Sequence, residues 1–184
     1  MKLSLGEQQE YLRSEALEGR GKIVELTKGL ITLVDAADFE GVRVHKWYAQ
    51  KARINYYAAR RLGRQIILLH RVLVQPPKGL VVDHREHNTL DNRRSFLRLA
   101  TFQQNSANSK KIAGRTSEYK GVCRVKPIVN ATNIWMAYIG GSVSDGARLK
   151  RIHLGYFPTE VAAARAADEA AKLHFGEFAI LNFP

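Results

Sequence analysis

Residues 106–118 (SANSKKIAGRTSE) carry almost no large apolar side chain. Such a stretch cannot bury enough surface to offset the entropy of ordering it, so it reads as a linker. Whatever folds in this chain therefore folds on either side of it. A chain of 184 residues is long enough for two small domains of this kind. The expected organisation is an N-terminal arm at 1–21, a domain over 22–105, the linker, and a second domain over 119–184.

The first domain reads as β-rich. Apolar and polar residues alternate over 22–34 (KIVELTKGLITLV), and Lys28-Gly29 supplies a turn, so a hairpin is expected. Aromatic strand-like material follows at 45–60, then a β-rich run at 64–69. A short helix near Arg71–Val74 must stop at Pro76-Pro77. A short strand at 80–82, a polar loop at 85–94 and a helix from Ser95 to about Asn105 complete it. Trp47, Tyr48, Tyr56 and Tyr57 read as core. Residues 5–19 are polar and weakly helical and read as a frayed helix or mobile arm. Beyond the linker come three strand candidates, at 119–126, 134–141 and 149–157. The Ala-rich VAAARAADEAAKLHF is helical, with Thr159 as N-cap and Gly176 as stop. The fold class is α+β.

Lys and Arg number 29 against 17 Asp and Glu, a net charge of +12. The excess is +8 over residues 22–105 and +7 over 106–154, while both ends are slightly acidic. Two consecutive basic blocks attract polyanions by counterion release, with nucleic acid the first candidate. No apolar run reaches the roughly 18 residues of a membrane span, and the N-terminus lacks a signal-peptide core. The single cysteine, Cys123, excludes an intrachain disulfide framework. A cytoplasmic compartment is the expectation.

The sharpest chemical feature is Val82-Asp83-His84, leading through a polar loop to Asn105. Aspartate and asparagine oxygens are hard ligands suited to Mg²⁺. Imidazole titrates near neutral pH and can take a proton from water. Phosphodiester hydrolysis needs both parts: a base for the water and a cation for the phosphate and leaving oxygen. The stretch LHRVLVQPPKGLVVDHREHNTLDNRRSFLRLATFQQNSANSKK resembles the HNH nuclease module of phage-type homing endonucleases, which has a ββα-metal fold. The resemblance implies Asp83 and Asn105 as ligands to Mg²⁺ or Mn²⁺ and His84 as general base. His70 falls on the module's upstream His-Arg motif, either touching the scissile phosphate or supporting the fold. Arg93, Arg94 and Arg98 are either phosphate-facing or an ordinary solvated helix face. Two positions depart from the pattern: Phe96 stands where an asparagine bracing the loop is usual, and His87 where a glycine is common.

The segment SEYKGVCRV…IWMAYIG…RIHLGYFPTEVAAARAADEAAKLHFGEFAILNFP resembles the plant APETALA-type, or ethylene-response-factor, DNA-binding domain. That family folds as a three-stranded antiparallel sheet on one helix and places the sheet in the major groove. The resemblance puts Lys120, Arg124, Trp135 and Arg151 on DNA-facing strands, with a core position the other reading for Trp135. Charge adds Lys126, Arg148 and Lys150. Cys123, Tyr138 and His153 replace the usual arginine, glutamate and tryptophan. The combined expectation is a monomeric, metal-dependent endonuclease acting on double-stranded DNA at a preferred site, of the mobile-element type. The alternative is a catalytically impaired, sequence-preferring DNA-binding regulator.

Overall fold

The computed structural model describes residues 3–52, 54–109, 116–125, 134–140, 143–144, 147–148 and 150–184, the dipeptides 143–144 and 147–148 by backbone alone. The chain divides into two compact units, Met1–Leu99 and Ala100–Pro184.

The first unit opens on helix α1 (Leu5–Leu17), started by a reciprocal cap. The Glu7 amide donates to Ser4 Oγ at 3.3 Å, and the Ser4 amide donates to Glu7 Oε2 at 2.6 Å. Its Leu12 is fully buried. Of the two expectations, frayed helix or mobile arm, the segment is a helix, capped rather than frayed, with Leu12 in the core and Tyr11 and Ala16 packed against it. Strands β1 (Lys22–Glu25) and β2 (Ile31–Val34) form the expected antiparallel hairpin, in register Lys22↔Val34. The tight turn is made by Lys28 and Gly29, both with φ of 66°. Every residue of β2 is buried.

Helix α2 (Ala36–Arg43) leads to a three-stranded antiparallel sheet of β3 (Tyr48–Ala52), β4 (Asn55–Leu62) and β5 (Gln65–Leu68), with β4 central. Trp47 is core, as expected, and its indole donates to the Val42 carbonyl at 2.9 Å. Helix α3 (Leu69–Val74) ends at Gln75, in a left-handed conformation just before the two prolines. Strands β6 (Val81–His84) and β7 (Leu97–Ala100) pair as a second hairpin.

Strand β7 corrects the sequence reading. A helix was expected from Ser95 to Asn105; instead a single 3₁₀ turn at Arg94–Phe96 leads into β7, and helix α4 begins only at Phe102. The apolar positions Leu97 and Leu99 suit either period. Pairing with β6 decides for strand, and Thr101 caps the helix that follows, its hydroxyl accepting from the Gln104 amide at 3.2 Å.

In the second unit, α4 (Phe102–Ala107) precedes a three-stranded antiparallel sheet. Strand β9 (Trp135–Gly140) lies between β8 (Val122–Arg124) and β12 (Arg151–Phe157). A two-residue ladder, β10 (Val143–Ser144) with β11 (Ala147–Arg148), lies between β9 and β12 in the chain. Helix α5 (Glu160–Phe175) is capped by Thr159 and stopped by Gly176, as expected. Its buried Ala163, Ala164 and Ala167 pack on Val122 and Ala137. The helix lies close enough that a Cβ added at Gly121 would come within 3.1 Å of the Ala167 Cβ, besides meeting the Tyr138 carbonyl of β9 at 2.7 Å. Buried Asp168 gathers the C-terminal tail: it accepts from the amides of Asn182 and Phe183, each at 2.9 Å. Asn182 in turn bonds both backbone groups of Lys120. Of the expected linker, 110–115 lies outside the described residues. Its ends are ordered, with Ala107 and Ser117 buried.

Three stability outcomes follow from the buried charges. Arg93→Ala leaves Asp91 buried without its partner and costs the first unit about 3–5 kcal/mol in urea unfolding. Glu15 is held down to about 2, chiefly by its bonds to Arg20 and then Arg93, from an ordinary 4.5. Its contribution is complete above about pH 4.5 and drains away as pH falls toward 2, so melting curves of wild type and Glu15→Gln should converge across that window. In the second unit, Asp168→Ala should cost roughly 3 kcal/mol, with the Asn182 and Phe183 amides losing hydrogen-exchange protection.

Candidate functional site

The end of β6 carries Asp83 and His84, both buried. Three aromatic rings meet there. The His70 ring, from α3, lies 5.1 Å from that of His84 at an interplanar angle of 83°. Tyr57, from β4, stands 5.7 Å from His70 and 6.2 Å from His84. Burial disfavours the charged imidazole at both positions. It takes His84 down to about 4, helped by the charge of His87 and opposed by the side chain of Asn92. It takes His70 down to about 3, with the charges of His84 and Arg71 adding to the effect. Both imidazoles are therefore neutral at neutral pH.

Residues 88–93, expected as a polar loop, are all buried. They are joined to β2 by one isolated parallel bridge, Leu33↔Asp91, which follows a turn closed by the Asp91 amide on the Asn88 carbonyl at 3.0 Å. The Leu33 amide donates to the Leu90 carbonyl at 3.0 Å, and the Asn92 amide donates to the Leu33 carbonyl at 2.8 Å. Thr32 Oγ1 donates to the Leu90 carbonyl at 2.6 Å and accepts from Asn92 Nδ2 at 2.7 Å. Thr89 Oγ1 donates to the Tyr56 carbonyl at 2.6 Å. Asn92 thus braces the loop in a chain that has Phe96 where the resembled module has asparagine. Phe96 instead lies under the Arg93 guanidinium, 4.4 Å from ring centroid to carbon. His87 has a φ of 61°, which explains why a glycine is common there: the turn after β6 needs a left-handed residue.

The arginines are placed differently from the expected phosphate-facing set. Arg93 is buried, with Asp91 at 2.6 Å, Glu15 at 2.7 Å and Tyr11 Oη at 3.1 Å. A buried guanidinium committed to two carboxylates cannot meet a phosphate. Arg98 is buried as well, and its Nε donates to Asp83 Oδ2 at 2.8 Å. Arg94 is half exposed but paired with Asp38 at 2.8 Å.

Asp83 and His84 belong to the first unit, and Asn105, exposed on α4, to the second. A carboxylate oxygen and an imidazole fit a divalent ion in kind. Among the described residues, no group of three or more His, Cys, Asp or Glu side chains gathers to hold a metal.

In the second unit, Arg124, Lys150 and Arg151 are exposed, and the Arg151 guanidinium covers the Tyr138 ring at 4.5 Å. Lys120 is not a free cation. Its ammonium is bound by the carbonyls of Ser106, Ala107 and Ser109, and burial pulls its pKa down to about 8. Trp135 shares the helix-facing side of β9 with Ala137 and Ile139 and packs on the core, the second of its two readings. Lys126 and the Arg148 side chain lie outside the described residues. Sequence reasoning missed Tyr57 beside the histidines and the clamp of Arg93 between Asp91 and Glu15. The Asp91–Arg93 spacing hinted at the latter, whereas Glu15 is 78 residues away from Arg93.

Residues 75–107 match the family model described as HNH endonuclease. A protein of Acanthamoeba polyphaga mimivirus, named as an uncharacterized HNH endonuclease, is 33% identical over 172 residues, covering 90% of this chain and 79% of that protein. No solved structure matches the chain. With Asp83-His84 at a strand end inside the matched segment, the chain belongs to the HNH endonuclease family.

Proposed function

We propose that this chain hydrolyses phosphodiester bonds in duplex DNA at a preferred site, as a monomeric homing-type nuclease of the mobile-element kind. The observation that carries this reading is the seating of His84. Its imidazole, on the residue after Asp83 at the end of β6, has the His70 ring 5.1 Å away, and burial keeps it neutral. In that state it takes the proton of the water that attacks phosphorus. His70 and Tyr57 hold the imidazole in place and exclude bulk solvent. Asp83 and Asn105 would hold Mg²⁺ or Mn²⁺. Bound there, the ion supplies positive charge to the phosphate and the departing 3′ oxygen. A single site of this kind on a monomer cuts one strand per event.

The second unit we read as APETALA-type, holding DNA for the first through exposed Arg124, Lys150 and Arg151. Lys126 and Arg148 join this set on charge alone.

Supercoiled-plasmid nicking with Mg²⁺ or Mn²⁺ tests the reading. His84→Ala should lose about 10²–10⁴-fold in rate, and EDTA should abolish cleavage by wild type. Nicking that survives His84→Ala removes the histidine from the mechanism. Asp83→Ala and Asn105→Ala should each abolish metal-stimulated nicking and leave duplex binding, measured by anisotropy, within about two-fold (under 1 kcal/mol).

The second reading, a DNA-binding regulator, is favoured by one observation: Asp83, the expected ligand, is already paired with buried Arg98 at 2.8 Å. Duplex binding by wild type without metal-dependent nicking decides for it.

A further inference from the structure

The second unit's sheet has two faces of different chemistry, and its register sorts them. Val122, Ala137 and Gly155 form one cross-strand row, and Ile139 pairs Ile152. This is the side that meets α5, where Val122, Ala137 and Ile139 are all buried. The opposite side carries the row Cys123, Met136 and Tyr156, the pair Tyr138 and His153, and Arg151 opposite Gly140.

A bulge creates this outward face. The β9–β12 register shifts between His153 and Gly155. In a regular strand His153 and Tyr156, three residues apart, would point to opposite sides. The extra residue, Leu154, packs on the helix-side core, and both rings are left facing out. Their centroids are 4.8 Å apart, His153 is exposed, and Tyr156 is 54% exposed. Tyr138 lies beside them under the Arg151 guanidinium. Leaving two rings on an open face beside a shielded one gains nothing for the core.

We propose that this outward face is a stacking platform for the unpaired bases of single-stranded DNA. A duplex turns base edges into its grooves and keeps base faces stacked, so it offers little to a row of rings. Unpaired bases expose the faces that Tyr156 and His153 match, and Arg151, lying on the Tyr138 ring, adds a cation beside them. Charge agrees: the outward-facing residues of β8, β9 and β12 include Arg151 and no Asp or Glu. The inference rests on the reading of the second unit as the part that holds DNA. It names the form held: the strand released at a nick or a melted site.

The test uses the full chain in EDTA, so that the probe is not cut. Anisotropy compares a labelled mixed-sequence DNA strand of about 16 nucleotides, its duplex, and the matching RNA strand. Wild type should bind the DNA strand at least as tightly as the duplex. Tyr156→Ala should weaken strand binding by about 5- to 150-fold while leaving the duplex within about two-fold. Tyr156→Phe, which keeps the ring, should restore strand binding. His153→Ala should weaken it in the same sense and guards against a folding defect in one variant. Unchanged strand affinity in both alanine variants overturns the proposal. So does an equal loss on strand and duplex, or tighter binding of RNA than of DNA. Normal plasmid nicking alongside such a result leaves the nuclease reading standing; a wild-type chain that binds no DNA defeats both.

Discussion

The backbone of residues 88–93 would be a buried loop of unpaired polar groups if β2 did not receive it. Desolvated amides and carbonyls without partners cost more than any local contact here could return. The Leu33–Leu90, Asn92–Leu33 and Asn92–Thr32 bonds reduce that cost by tying the loop to β2. The two ends of the β6–β7 hairpin are joined by this segment, so the pairing sets where β6 ends and hence where Asp83 and His84 stand. The Arg93 clamp locks it from the other side by tying Asp91 to Glu15 on α1. The N-terminal helix is in this sense part of the framework of the site.

That framework holds an environment in which water is scarce. Two imidazoles with ring centroids 5.1 Å apart cannot both be charged without severe repulsion, and burial keeps both neutral. The aspartate beside them remains compatible with burial because Arg98 accompanies it. A neutral base next to a compensated carboxylate is a poised arrangement. The second unit solves a different problem with the same economy. Small alanines bring α5 down onto the sheet, and Asp168 holds the tail to the helix while Asn182 joins that tail to the backbone of Lys120.

Local signals in the chain were read correctly where local physics decides. The Lys28-Gly29 turn, the stop of α3 before Pro76, the Thr159 cap and Gly176 stop of α5, and the Asp83-His84 pair at a strand end all depend on a few neighbouring residues. The helix expected across Ser95–Asn105 failed because a short apolar run suits either period until a partner strand selects one. The arginines failed for a related reason. Arg93, Arg94 and Arg98 look like a basic stripe in one dimension. Their fates were set by Glu15, Asp38 and Asp83, which the fold brings from elsewhere.

The sequence by itself determined the family, the basic charge balance and the residue types of the candidate site. The charge is read from composition, and the family and site types from the order of residues over a stretch of some forty positions. Only the tertiary structure decided which charges are buried, that Tyr57 completes the ring cluster, that Asn92 braces a loop lacking the usual asparagine, and that a bulge turns His153 and Tyr156 to one face. Each of these depends on desolvation and on contacts between residues distant in the chain or on a shift of strand register, and neither can be computed from neighbours alone.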